Sequence, residues 1–254
     1  VQLLLDIGNT HTHVALAGKR SVVRAMNWPT PAWQDGKMPG LISRKFDAGM
    51  FTGVALCSVV PSATAIAMRE SKRHWGLNAF QLTHKTVRGI GIDYPTPRTI
   101  GPDRLANAVA ARSEYGAPVV VVDFGTAVTF DVVNRRGDYV GGIIAPGLAV
   151  MTNYLHEKTA LLPQIEIREA GAVIGKTTEQ AMLIGAVHGY RGLIRELIQK
   201  LKRELNCRRL PVVATGGYAA LMAKKLPEIT KVDPLLTLKG LRLAWELNQG
   251  DAHP

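Results

Sequence analysis

Three carboxylates in this chain stand where a bound anion or a reacting hydroxyl would meet them. Asp6, in "LLLDIGNTHTHVAL" (residues 3–16), and Asp123, in "VVVVDFGTAVTFDVV" (residues 119–133), share one plan. An apolar run leads to the Asp, one apolar residue follows, then a glycine and a threonine, and strand-formers resume. A turn between strands needs Gly or Asn for backbone reasons, but it does not need an acid before it and a hydroxyl after it. Gly8 and Gly125 would let a ligand approach backbone N–H groups, and Asn9, Thr10 and Thr126 add short hydrogen-bonding side chains. Phosphate oxygens suit such a cradle. Two carboxylates beside phosphate would repel it unless a cation intervened, so Asp6 and Asp123 imply Mg²⁺ or another hard ion with oxygen ligands. Taken singly, either Asp reads as a strand end that caps its turn; the matched pair favours phosphate and metal.

The third carboxylate opens a helix. In "IGPDRLANAVAA" (residues 100–111), Pro102 suits the first helical position and puts Asp103 and Arg104 in the first turn. An acid there is favoured by the helix dipole, and the same surroundings would keep it ionised and able to accept a proton. Adjacent glycines Gly216 and Gly217 follow the run "VVAT" and would let a flat ring lie against backbone, or simply make a tight strand–helix turn. "GAVIGKT" (residues 171–177) is one residue short of a P-loop between its glycines, and reads as a turn with Thr177 or Thr178 capping the next helix. No G-x-G-x-x-G follows a strand, which removes the main support for a Rossmann dinucleotide site.

The elements that must position these residues repeat. Periodicity predicts strands over 2–6, 12–18, 20–26, 53–59 and 78–82, with helices over 38–46, 62–73 and 102–115. The second half predicts strands over 118–123, 127–133, 138–144, 211–215 and 229–232. Its helices are predicted over 147–156, 178–204, 217–225 and 234–248. Three hairpin-linked strands followed by helix–strand alternation, twice over, imply an α/β fold of duplicated mixed sheets covered by helices. The break at Gly116-Ala117-Pro118 divides the chain into domains 1–116 and 117–254, expected to face each other across a cleft.

Composition sets the outer bounds. The 254 residues are 46% hydrophobic, enough for two modest cores. Two cysteines, Cys57 and Cys207, give neither a disulfide framework nor a metal-finger spacing and point to a reducing compartment. The apolar run Leu3–Leu5 is too short for a signal peptide and nothing is long enough to span a bilayer, so no membrane association and a cytoplasmic location are expected. The net charge of +11 could attract nucleic acid or a small polyanion. The basic residues are scattered, and the run from Arg195 to Arg209 is interleaved with glutamates like a solvated helix face. Aromatics at 6% offer no base-stacking platform, so no specific nucleic acid partner is expected.

Taken together, "DIGNT", "GPDR", "DFGTAVTFD", "GGIIAPG", "IGKTT", "ATGG" and "DPLLTLKGL" resemble, in order and spacing, the type III pantothenate kinases. The resemblance runs from Asp6 to about Leu241 and is specific as a set. It implies the actin, hexokinase and Hsp70-like superfamily, with duplicated ribonuclease-H-like domains, in agreement with the repeat. It implies ATP-dependent phosphorylation of the pantothenate 4′-hydroxyl, the first step toward coenzyme A, by a homodimer using Mg²⁺ and a monovalent cation, potassium or ammonium.

Site roles follow from the same resemblance. Asp6, Gly8, Asn9, Thr10, His11, Thr12 and His13 match the first ATP phosphate loop, with Asp6 near Mg²⁺ through the phosphates. Asp103 matches the general base, and Gly101, Pro102, Asp103 and Arg104 the pantothenate segment, joined by Tyr94 and Thr178. Asp123 resembles the monovalent-cation ligand, Gly125 and Thr126 the second phosphate contact, and Gly216 and Gly217 the adenosine end. Three departures stand out: Pro102 where Ala is more usual, Val128 where Thr is common, and two histidines, His11 and His13, after the first loop. Two apart on a strand, those histidines share a side, as exposed hairpin residues or as a metal pair. Two other readings remain: another small-molecule kinase or phosphohydrolase of this fold, and a non-enzymatic transcription accessory relative. Intact Asp6, Asp103 and Asp123 argue against the latter.

Overall fold

The apolar runs Leu3–Leu5 and Val119–Val122 become the buried centres of two sheets, all of these residues being inaccessible to solvent. A computed structural model describes residues 1–19 and 21–250. Among them the chain forms two compact units. The first comprises Val1–Gly116, Gly137–Val140 and the chain from Leu235 onward; the second comprises Ala117–Arg136 and Gly141–Pro234.

In the first unit, β1 (Gln2–Ile7), β2 (His11–Ala17) and β3 (Val22–Pro29) form an antiparallel meander, and β4 (Gly53–Ser58) and β5 (Ala79–Gln81) add in parallel on the far side of β1. The order is β3-β2-β1-β4-β5. Alternation along β1 sorts its side chains by face. Leu3, Leu5 and Ile7 join a core with Met38 and Ile42 of α1 (Met38–Lys45) and with Ala63 and Ala67 of α2 (Pro61–Trp75). The opposite face, which carries Leu4 and Asp6, is covered by α3 (Pro102–Tyr115) and a helix from the end of the chain, Leu236–Gly250. A two-residue strand, β6 (Gly91–Ile92), pairs in parallel with Asp138 and Tyr139, which lie in the Gly137–Val140 segment of the same unit.

The second unit repeats this pattern. The strands β7 (Val119–Phe124), β8 (Ala127–Val133) and β9 (Asp138–Pro146, in this unit from Gly141) follow in sheet order, and β10 (Val212–Thr215) and β11 (Lys231–Val232) add in parallel beyond β7. From β9 inward the order is β9-β8-β7-β10-β11, the same arrangement as β3-β2-β1-β4-β5. The two mixed sheets with flanking helices expected from the sequence are therefore present. This unit adds α4 (Leu148–Lys158), α5 (Thr178–Ile184), α6 (Tyr190–Glu204) and α7 (Ala219–Ala223), and the terminal helix Leu236–Gly250 is α8.

Several details differ from the sequence reading. The single helix expected over 178–204 is interrupted by a π-helical turn, Gly185–Gly189. Hydrophobic spacing alone does not register such a turn, and glycine at both its ends lowers the cost of departing from α geometry. The third strand runs to Pro29, beyond its expected end; Arg20, where it was expected to start, lies outside the described residues. Strand β6 is too short to leave a periodic signal.

The helix pair α3 and α8 matters most for the site, because it carries Asp103. Seven consecutive residues of α3, Leu105–Ala111, are buried, and four of them are alanine, so its backbone can be approached closely. Gly240 of α8 sits against it: a Cβ there would run into the Ala106 carbonyl oxygen. The buried Asn107 Oδ1 accepts a hydrogen bond from Thr237 Oγ1 at 2.8 Å across the same contact. In an exposed helix, Gly→Ala stabilises by up to about 1 kcal/mol. Here the obstacle is backbone and cannot swing aside, so Gly240→Ala is expected to cost about 1–3 kcal/mol in urea unfolding. Unchanged or raised stability would refute this packing.

Candidate active site

Asp6 is the penultimate residue of β1, and both neighbouring strands hold it: it lies opposite His13 of β2 and beside Cys57 of β4. The Cys57 thiol, fully buried, donates to Asp6 Oδ1 at 3.4 Å. Burial, then the charges of Asp6 and of Asp103, push that thiol well above its ordinary range, so it stays a neutral donor. Asp6 and Cys57 thus stand together on the face of the sheet that α3 and α8 cover, where the charge of Asp103 is also felt.

The turn after Asp6 is tethered from below. Gly8 N–H donates to the His11 carbonyl at 3.0 Å, and the Gly8 carbonyl accepts from Thr30 Oγ1 at 2.7 Å. Thr30 N–H in turn donates to the Thr10 carbonyl at 3.0 Å. Thr12 is fully buried; its hydroxyl lies 3.1 Å from Thr30 Oγ1 and accepts from Trp33 Nε1 at 3.2 Å. The Thr12 hydroxyl therefore faces this internal network, while Asn9 and Thr10 at the tip are exposed. Thr30 and Trp33 had no signal in the sequence, since only the register of β2 on β3 brings them under the turn. His11 and His13 share the exposed side of β2, and His13 is held below its ordinary range, by desolvation first and then by His11.

Asp103 is the second residue of α3, behind Gly101 at the cap and Pro102. Its Oδ1 accepts the Arg104 N–H at 2.8 Å. Desolvation raises its pKa above the ordinary carboxylate range, against the lowering effect of that N–H and of the Arg104 charge. Such a carboxylate is a better proton acceptor than a solvated one. Arg104 Cζ lies over the Tyr139 ring, 5.8 Å from its centroid, and the Tyr94 ring meets the same tyrosine edge-on at 6.2 Å. The structure thus brings Tyr94 and Arg104 to a common neighbour.

The second unit builds the matching turn. Asp123 is the penultimate residue of β7, opposite Thr129 of β8 and beside Thr215 of β10. Gly125 N–H donates to the Ala127 carbonyl at 3.1 Å, and Gly147 N–H to the Thr126 carbonyl at 3.0 Å. This turn is one residue shorter than the first: Gly125–Ala127 separate the paired residues here, against Gly8–His11 there. Gly125 and Thr126 are exposed. Gly216, at φ +88°, lies against the acid, where a Cβ would stand 2.5 Å from Asp123 Oδ1 and 2.7 Å from the Phe124 carbonyl. Gly217 is exposed with nothing near its Cβ position. Thr178, the first residue of α5, is also exposed, and the capping hydroxyl is that of Thr177, which accepts the Gln180 N–H at 3.2 Å.

Among the described residues no group of three or more His, Cys, Asp or Glu is close enough to hold a metal on its own. Lone carboxylates beside exposed turns fit instead an ion that takes most of its ligands from phosphate and water. No described helix is long and apolar enough to cross a membrane.

A sequence profile described as type III pantothenate kinase matches residues 2–200. The chain is 44% identical to a type III pantothenate kinase of Methylacidiphilum infernorum, over 96% of this chain and 88% of the relative. It is 45% identical to one from Akkermansia muciniphila, over 97% of this chain and 98% of the relative. The chain belongs to the type III pantothenate kinase family. Membership makes it a phosphotransferase, as the resemblance implied. Among solved structures, it matches a protein of Campylobacter jejuni described as a Baf family transcriptional activator, with a TM-score of 0.64 at 19% identity, over 98% of this chain and 99% of that one. A protein of Listeria monocytogenes described as an N-acetylmannosamine kinase matches with a TM-score of 0.53 at 11% identity, over 98% and 99%. At those identities the two likenesses carry the fold alone.

The glycine pair gives a test of the second turn. Alanine at Gly216 would be strained by its positive φ and would press on Asp123, so Gly216→Ala is expected to lose about 1–3 kcal/mol in chemical denaturation. Gly217→Ala, with open space around it, is expected to stay within about 0.5 kcal/mol of the parent. Equal stabilities for the two variants would refute the contact between Gly216 and Asp123.

Proposed function

We propose that this chain phosphorylates the 4′-hydroxyl of pantothenate with ATP, giving 4′-phosphopantothenate at the first step of coenzyme A synthesis. Family membership over most of the given chain carries the reading, and the presence in one unit of Asp6, bonded to Cys57, and of the desolvated Asp103 supports it. Asp103 would orient the acceptor hydroxyl and take its proton. Gly101, Pro102, Arg104, Tyr94 and Thr178 would bind the rest of the acceptor. The Asp6 turn, from Gly8 to His13, and the Gly125–Thr126 turn would each present backbone N–H groups to phosphate, with Gly216 and Gly217 beside the adenosine. Asp6 would hold Mg²⁺ through the phosphates and Asp123 a potassium or ammonium ion; bound there, these cations neutralise the gathering negative charge. Such phosphoryl transfer rests mainly on positioning and charge stabilisation.

A homodimer in the cytoplasm is part of the same proposal. Its support in the structure is a run of exposed apolar side chains on the second unit: Ile144 of β9 with Val150, Met151, Tyr154 and Leu155 of α4. Neither a specific nucleic acid nor a membrane is needed as partner.

The deciding experiment is a coupled assay with ATP, Mg²⁺, potassium and pantothenate. Asp103→Asn is nearly isosteric but cannot accept the proton, so turnover is expected to fall about 10²–10⁴-fold while nucleotide affinity is kept. Because desolvation raises the Asp103 pKa, the acid limb of the parent's rate profile is expected above the ordinary carboxylate range: as pH falls the base is protonated and the rate drops. Near-full turnover in Asp103→Asn would leave Asp103 as a helix-end acid only. If Asp123 holds a monovalent ion, activity is expected to require potassium or ammonium. Equal rates in tetramethylammonium buffer would remove that assignment.

A further inference from the structure

Tyr139 has no assigned part in this site, yet it joins the two segments proposed to bind the acceptor. Its side chain is 1% exposed. Its carbonyl accepts the Asp93 N–H at 2.9 Å, next to Tyr94, and its strand pairs with β6 just ahead of that residue. Its ring meets Tyr94 edge-on, with an interplanar angle of 69°, and carries the Arg104 guanidinium over one face. The residues around it come from 91–94 and from Arg104, both far upstream of the ring. All of them belong to the first unit, and Gly137–Val140 is the short stretch that delivers the ring.

We infer that Tyr139 is a positioning residue for acceptor recognition: its ring sets the Arg104 guanidinium and the Tyr94 ring in the geometry that binds a carboxylate-bearing alcohol. The inference rests on the pantothenate reading above. A cation–π contact uses the positive charge of the guanidinium and its flat face, not its N–H donors. Arg104 held in this way can still direct its donor fork to a carboxylate, the group that separates pantothenate from a neutral sugar. A flexible arginine would first have to be ordered by each incoming acceptor, at a cost in affinity.

The test compares Tyr139→Phe, which keeps the π face, with Tyr139→Leu and Tyr139→Met, which remove it; the longer, unbranched methionine fills an irregular space better should leucine fail to fold. The loss of a partly desolvated cation–π contact corresponds to roughly 3- to 30-fold. The KM for pantothenate is expected to rise by that factor in Leu and Met, with kcat and the KM for ATP within about twofold. Tyr139→Phe is expected to match the parent. Three outcomes would overturn the inference: an unchanged pantothenate KM in Leu and Met, equal damage in Phe, or KM values for ATP and pantothenate that rise together. Hydrogen exchange of residues 91–104 in the ligand-free protein supplies a readout free of turnover. It should accelerate in Leu and Met but not in Phe, and unchanged exchange would also overturn the inference. A parent chain that leaves pantothenate unphosphorylated would instead defeat the reading beneath, and the exchange comparison would still decide the role of the ring.

Discussion

A carboxylate one residue from the end of a central strand is the constraint on which the rest of this molecule depends. Asp6 and Asp123 each have a hairpin partner on one side and a parallel partner on the other. A strand paired along both edges and buried on both faces cannot slip by one residue without carrying its acid to the opposite face of the sheet. The acid is therefore held as firmly as the core, while the turn beyond it leaves the sheet and exposes Asn9 and Thr10 in the first unit and Gly125 and Thr126 in the second. Placing the chemistry on the last residues of a rigid element, and not on a free loop, is what gives a phosphate cradle its precision.

The first unit adds a second consequence of close packing. Asp6 accepts a hydrogen bond from the buried Cys57 thiol, and burial followed by the charges of Asp6 and Asp103 keeps that thiol neutral. Cys57 thus adds no negative charge of its own. Helix α3, which carries Asp103, packs by its alanine-rich flank against Gly240 of α8. Site electrostatics and helix packing meet in that one helix.

Much of this was legible in the sequence, and the limits have a physical pattern. The duplicated turns, the helix opened by Gly101 and Pro102 and the order of strands are all local signals, carried by turn chemistry and by periodicity. The partners that matter most to the site are non-local. Cys57 reads as one more residue of a buried strand until register sets it beside Asp6. Thr30 and Trp33 lie in a segment that the sequence leaves irregular, and they support the first turn from across the meander. Tyr139 looks like a strand aromatic in the second half, and its neighbours Tyr94 and Arg104 are far upstream. The π turn at Gly185–Gly189 escapes because the apolar spacing of a helix with one extra residue still looks helical over a short window.

The discontinuity of the first unit bears on how the chain matures. Its sheet and α3 precede the second unit in the chain, yet the face that holds Asp6 and Cys57 is fully covered only when α8, which follows the second unit, packs beside α3. Until Leu236, Leu238, Leu241 and Ala244 arrive, the flank of α3 has no cover, and that apolar surface stays open to chaperones. The first unit is completed only after the whole of the second has been made, so a nascent chain holds Asp6 and Asp103 well before it can hold them in place.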